Sequence, residues 1–397
     1  MKKRLLSLLM ALCLMATMVP AAFAAETENV LSEPQTAAVD LEETVETLSL
    51  ESTEALPVRY LNGDATGNLI ISEDMIVEMG THTLTGQVLV QPGVTAVLRN
   101  GFINYQVSAG SNTAALYVLE GADVTLEGVG ITVTGDDSPN SMAAAVYGQL
   151  TTNATTNITS SCYGIGFYGT ATAELSGNVS AVQNPISTNV AGSEDMEVVI
   201  KDGDYVCSKE TDGNWSHVAI YWASKGSLTI EDGTFTSGIS DAAGLYVKNG
   251  TILISGGEFK ETKDGVKITS EESNSTGIDV TITGGSFSGE RCGLYVKAKA
   301  PGAASGNYKV TVTGGTFAAE EGVAITTSVD GSIDLDMSVE GGTYYGGIDS
   351  PDFNGFVHVG TFHFDPTEYK NSNSSIYTAG EGENTIYYVY RNVAIND

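Results

Sequence analysis

The chain has 397 residues and a formal charge of −31, from 18 Lys+Arg against 49 Asp+Glu. A surface of that sign repels nucleic acid and anionic membrane, and it opposes polyanions such as pectate except through a local basic cleft or bound cations. Four cysteines with no CxxC spacing exclude zinc-ribbon and thioredoxin-type sites and a disulfide framework.

Lys2, Lys3 and Arg4 open the chain, an apolar run follows from Leu5 to Val19, and Ala22-Phe23-Ala24 offers small residues for cleavage. That is the pattern of a secretory signal peptide over residues 1–24. The apolar run falls short of the roughly 20 residues of a spanning helix, and no later stretch is apolar enough to span. The expected product is secreted and extracellular, free or associated with the cell surface, with no membrane span after cleavage. Cys13 leaves with the signal, and Cys162, Cys207 and Cys292 read as core positions, with room for one pair among them. Residues 25–56 are acidic and contain neither aromatic residues nor glycine. No packed core follows from that composition, so the segment reads as a disordered spacer.

From Pro57 onward Gly, Thr, Ser, Val and Ile dominate, and an internal repeat appears. The phrase "VTITGGSF" (280–287) returns as "VTVTGGTF" (310–317), with relatives "VVIKDGDY" (198–205), "LTIEDGTF" (228–235), "ILISGGEF" (252–259) and "MSVEGGTY" (337–344). The closing aromatics Tyr205, Phe235, Phe259, Phe287, Phe317 and Tyr344 are separated by 30, 24, 28, 30 and 27 residues. In "VTIT", Val280 and Ile282 face one way and Thr281 and Thr283 the other, the two glycines permit a bend, and Phe287 returns to the apolar side. One such unit cannot bury its apolar face, whereas stacked copies cover one another. The fold expected over residues 57–365 is an all-β solenoid of about 10–12 coils. Residues 366–397 lack the phrase, and "TIYYVYRNVAIND" reads as β capping strands that close the last coil.

With these repeats the chain resembles the right-handed parallel β-helix of the pectate-lyase-like superfamily, and more narrowly the secreted "TGGTF"-repeat proteins of Firmicutes. The stretch "HTLTGQVLVQPGVTAVLRNGFI" (82–103) looks like the entry coils of that group. The resemblance implies fold and not function, because the superfamily holds lyases, hydrolases, adhesins and binding proteins. Its lyases use a basic residue beside calcium-binding carboxylates. Arg99 and Arg291 lie about 190 residues apart, and the sequence displays no Arg-Lys-Asp cluster on adjacent coils. "GDD" at 135–137 reads as a turn. No catalytic residue is therefore assigned.

A second phrase interleaves with the first, and its centre points outward when its flanks point in. Aligning it places Tyr117, Tyr147, Tyr221, Tyr246 and Tyr295 on one outward strip, with Lys267, Gly166 and Ala324 in the equivalent places. Such a strip reads as a platform for sugar rings or a partner surface. The competing reading is strand propensity alone. Asp334 and Asp336 share the outward face of one strand and form the candidate metal pair, with calcium as the only cofactor considered. Taken together, the sequence predicts a non-enzymatic binding, adhesion or display protein. Its partner would be an extracellular polysaccharide or a host or cell-surface protein. The alternative is a polysaccharide-active lyase or glycoside hydrolase.

Overall fold

The computed structural model describes residues 56–135, 141–188, 196–208, 217–238, 242–269, 277–298, 308–329 and 334–392, together with a two-residue strand at Glu42–Glu43. The chain divides into two compact units, Met1–Val30 and Leu31–Asp397. The first unit, and with it the expected signal peptide, lies outside the described residues. Among the described residues no helix is long and apolar enough to cross a membrane.

The second unit is a right-handed parallel β-helix. Each regular coil consists of three strands. In one coil, Ile278–Ile282 is followed by Ser286–Gly289 and then by Cys292–Ala298. The first two strands of each coil join a larger sheet and the third joins a smaller sheet of twelve strands. Among the described residues eight consecutive coils of this kind run from Asp123 to Val329, which gives about 8 turns. The outer rungs are simpler. In Met75–Thr85, Thr95–Val107 and Leu335–Tyr344 the first two strands fuse into one.

The repeated phrase builds the core as its alternation requires. Val280 and Ile282 are fully buried, while Thr283 is exposed. Gly285 adopts φ +99° and Gly315 φ +94°, values that disfavour any side chain. At Gly284 a Cβ would lie 2.2 Å from the carbonyl oxygen of Ser255 on the preceding rung. In this copy Gly285 serves the dihedral and Gly284 the close backbone approach, while Asp202 and Asp232 take the Gly284 place in two other copies.

Beyond that turn the closing aromatics stack in register. Tyr205, Phe235, Phe259, Phe287, Phe317, Tyr344 and Phe362 pair rung to rung. Their ring centroids are 4.6–5.3 Å apart and their planes 7–19° from parallel. That spacing is the spacing of strands in a sheet. Each ring is fully buried, worth about 1.5–3 kcal/mol from burial, with about 0.5–1.5 kcal/mol more per stacked pair.

Both ends are closed by antiparallel strands. At the C-terminus Ser374–Ala379 and Ile386–Arg391 form a hairpin, and its second strand pairs antiparallel with Val357–Phe362. This is the expected cap. At the other end Glu42–Glu43 pairs antiparallel with Arg59–Tyr60. These two residues lie inside the segment expected to be a disordered spacer. The rest of residues 25–55 lies outside the described residues.

Candidate functional site

The outward face of the smaller sheet follows from the same alternation. Leu245 and Val247 enter the main core while Tyr246 turns to the other side, where it packs with Val218, Tyr221, Ala242 and Ala243. Tyr117 likewise leaves the core flanked by Leu116 and Val118, and it joins Ala114, Met142, Ala145 and Tyr168.

The expected strip of tyrosines is corrected in two respects. It is not open to solvent, because Tyr117, Tyr221 and Tyr246 are 4%, 5% and 0% exposed. Nor is it continuous. The column of rung partners reads Tyr117, Ala145, Gly166, Ser187, Tyr221, Tyr246, Lys267, Tyr295, Thr326, Asp349. Tyr147 stands two residues beyond the place assigned to it, and its ring stacks on Tyr168 at 4.6 Å. Ala324 is a core residue, and Thr326 occupies the outward place instead. Variable turns admit such two-residue slips, which keep the in-out alternation and so escape a pattern search.

Two separate groups result. In the first, burial holds the Tyr147 phenol up at about 12 and also raises Tyr117 and Tyr168, and the Tyr117 hydroxyl accepts a hydrogen bond from the Ala114 amide at 2.9 Å. Desolvated phenols of this kind are packing groups.

The second group is chemically richer. Lys267 is the rung partner of Tyr246 on one side and Tyr295 on the other. Its Nζ lies 4.5 Å from the Tyr246 ring centroid, while Lys248 Nζ lies 5.2 Å from the same ring and 5.0 Å from that of Tyr221. Arg291 lays its guanidinium over Tyr295 at 4.3 Å. It also reaches back one rung to Asp264, with Nε donating to Oδ1 at 2.8 Å and Nη2 to Oδ2 at 2.5 Å. Asp264 is buried and also accepts from the Cys292 thiol at 3.2 Å. Burial, opposed by Asp264 and aided by Arg291, Lys297 and Lys248, lowers Lys267 to about 8. Tyr295 and Lys267 are half-buried, and Arg291 keeps 40% of its side chain exposed.

This is an Arg-Lys-Asp cluster on adjacent rungs, of which the sequence displays no sign. The signal was thin. Asp264 sits in "KDGVK", a turn composition, and only the coil length of 27 residues between Asp264 and Arg291 brings them together. Among the described residues no group of three or more His, Cys, Asp or Glu side chains could hold a metal. Asp334 and Asp336 are exposed on either side of buried Leu335, as the alternation requires, and Asp336 is the rung partner of Lys309. Asp136 and Asp137 lie outside the described residues. Cys162, Cys207 and Cys292 are all buried.

Comparison with protein-family models, with curated proteins and with solved structures found no match for this chain.

Proposed function

We propose that this chain is a secreted, non-enzymatic β-helix of the pectate-lyase-like kind that binds extracellular glycan on the outward face of its smaller sheet. The parallel coils and the repeated Gly-Gly phrase support the superfamily assignment. The observation that carries the binding reading is the second cluster, where half-buried Tyr295, Lys267 and partly exposed Arg291 stand together on adjacent rungs. Aromatic faces with planar cations beside them suit sugar rings and their substituents.

A second reading is favoured by one feature of the same place. Arg291, Lys267 and Asp264 juxtapose a base, a cation and a carboxylate, which is the inventory of a polysaccharide lyase. Asp264, however, is buried and engages both its oxygens with Arg291, so the carboxylate is not offered to a substrate. Binding is therefore the preferred reading.

A polysaccharide panel separates the two. The full chain is incubated with each polymer, with and without calcium, and retention and new chain ends are scored on the same samples. Retention without new ends is the expected result. New unsaturated or reducing ends would replace binding by catalysis, and no retention anywhere would defeat both.

A further inference from the structure

We infer that the outward face of the C-terminal hairpin is a second glycan surface, suited to a neutral polysaccharide, with Tyr377, Tyr388 and Tyr390 as its stacking rings. It lies on the larger sheet and shares no residue with the small-sheet cluster above, so the two assignments can fail separately.

The first ground is exposure. Tyr377, Tyr388 and Tyr390 are 62%, 38% and 48% exposed. In the same hairpin Ile376, Tyr387 and Val389 turn the other way and join the core. The alternation that seats those three leaves the tyrosines outside, so the cap is held without them. Tyr345, at the end of the strand two rungs earlier, is also exposed, and its ring stacks on His363 at 4.1 Å. Among the described residues seven large hydrophobic side chains are exposed, and these four tyrosines gather on the last rungs. Exposed aromatic surface concentrated in one place marks a contact site.

The second ground is arrangement. Tyr377 and Tyr388 are cross-strand partners, with ring centroids 6.1 Å apart and planes tilted by 32°. Tyr390 follows on the same side of its strand. Tyr388 is in turn the partner of Thr361, Thr361 of Thr343, and Thr343 of Thr316. Each of these threonines precedes a buried ring, Phe362, Tyr344 or Phe317, and so faces outward. One outward column therefore runs through three hydroxyls into two phenols, at about 4.8 Å per strand. The rings offer faces to the C–H faces of sugar units, and the column offers donors and acceptors to their hydroxyls.

The third ground is charge. The hairpin's sequence holds one basic residue, Arg391, and it pairs with Glu340. The hairpin's turn carries Glu381 and Glu383, both exposed. An anionic polymer is repelled from such a place, and so is a second copy of a chain with a charge of −31. A neutral polysaccharide meets no such penalty.

The test titrates the full chain with hydroxyethyl cellulose, mannan and dextran, at low and at high salt. Retention of at least one of these neutral polymers, little changed by salt, is expected. Tyr377→Ala with Tyr388→Ala should weaken it about tenfold or more. The same pair changed to Phe keeps the ring faces and should keep most of the affinity. Both double variants should unfold close to the parent's denaturation midpoint, since the two rings lie outside the core. Neutral polymer bound equally well by the alanine variant would remove the site. If Tyr295→Ala abolished that binding instead, the small-sheet reading would stand and this one would fall. Retention lost at high salt would overturn the neutral assignment in favour of an ionic partner. Self-association in sedimentation, abolished by the alanine variant, would give the face to a second copy of the chain. Retention of none of the three polymers would overturn the inference and leave the small-sheet cluster to its own panel.

Discussion

Arg291 grips Asp264 across one rung, with both guanidinium contacts at 2.8 Å or less and the carboxylate 2% exposed. A buried carboxylate stripped of its partner is costly, on the order of 3–5 kcal/mol for a wholly buried pair. Arg291 is partly exposed, so water screens some of the loss. Arg291→Met should therefore lower unfolding stability by about 2–3 kcal/mol in a urea titration. Adding Asp264→Leu should recover most of that loss, because the buried charge then disappears with its partner. A double variant no more stable than the single one would show that the pair does not act as a unit.

The stacked rings give a second expectation. Phe287 is fully buried between Phe259 and Phe317, at 5.0 and 4.7 Å. Phe287→Ala removes its burial and leaves a cavity in a stack that cannot collapse sideways, for a loss of about 3–5 kcal/mol. Phe287→Leu should cost about half as much. The check is the denaturation midpoint with the slope unchanged, since a changed slope would mean that coils had uncoupled.

The two glycines of the same phrase should differ in how they fail. Gly285→Ala meets a positive φ of +99°, a strain of about 1–2 kcal/mol. Gly284→Ala drives a Cβ to 2.2 Å from a backbone oxygen, so the rung must move. Gly284→Ala should be the more damaging of the two in thermal unfolding. The reverse order would mean that neighbouring rungs yield easily.

These features differ in how far the sequence displays them. Phe259, Phe287 and Phe317 follow from the repeat, because each closes the same octapeptide and a recurring residue in a solenoid must stack on its copy. The outward column was only half legible. Tyr246 and Tyr295 keep their places, but Tyr147 stands two residues beyond Ala145, which is the rung partner of Tyr117. The Arg291–Asp264 pair was hidden altogether. Neither residue lies in a repeated phrase, and their meeting depends on a coil length that the phrases do not set.

Burial of the tyrosines also changes what substitution should do. Tyr246→Ala opens a cavity beneath Lys248 and Lys267 and should destabilise the fold by about 3 kcal/mol or more. Tyr295→Ala, at a half-buried position outside the packed cluster, should cost about 1 kcal/mol. Equal losses at the two sites would contradict the division of this face into a packed part and an accessible part.

Lys267 supplies the last expectation, and its sign differs from that of a salt-bridged lysine. Its amine titrates near 8 in the folded chain, against 10.5 for an ordinary lysine. Between those values the unfolded chain binds the proton and the folded chain does not, so unfolding takes up a proton and stability rises with pH. Below pH 8 both states are protonated and the folded state carries the full cost of a desolvated ammonium. Lys267→Met should therefore be more stable than the parent at pH 7, and the gap should close as pH climbs from 8 towards 10.5. Measuring the difference between the two proteins at each pH cancels the other titrating groups. A gap constant from pH 7 to 10 would mean that the amine titrates normally.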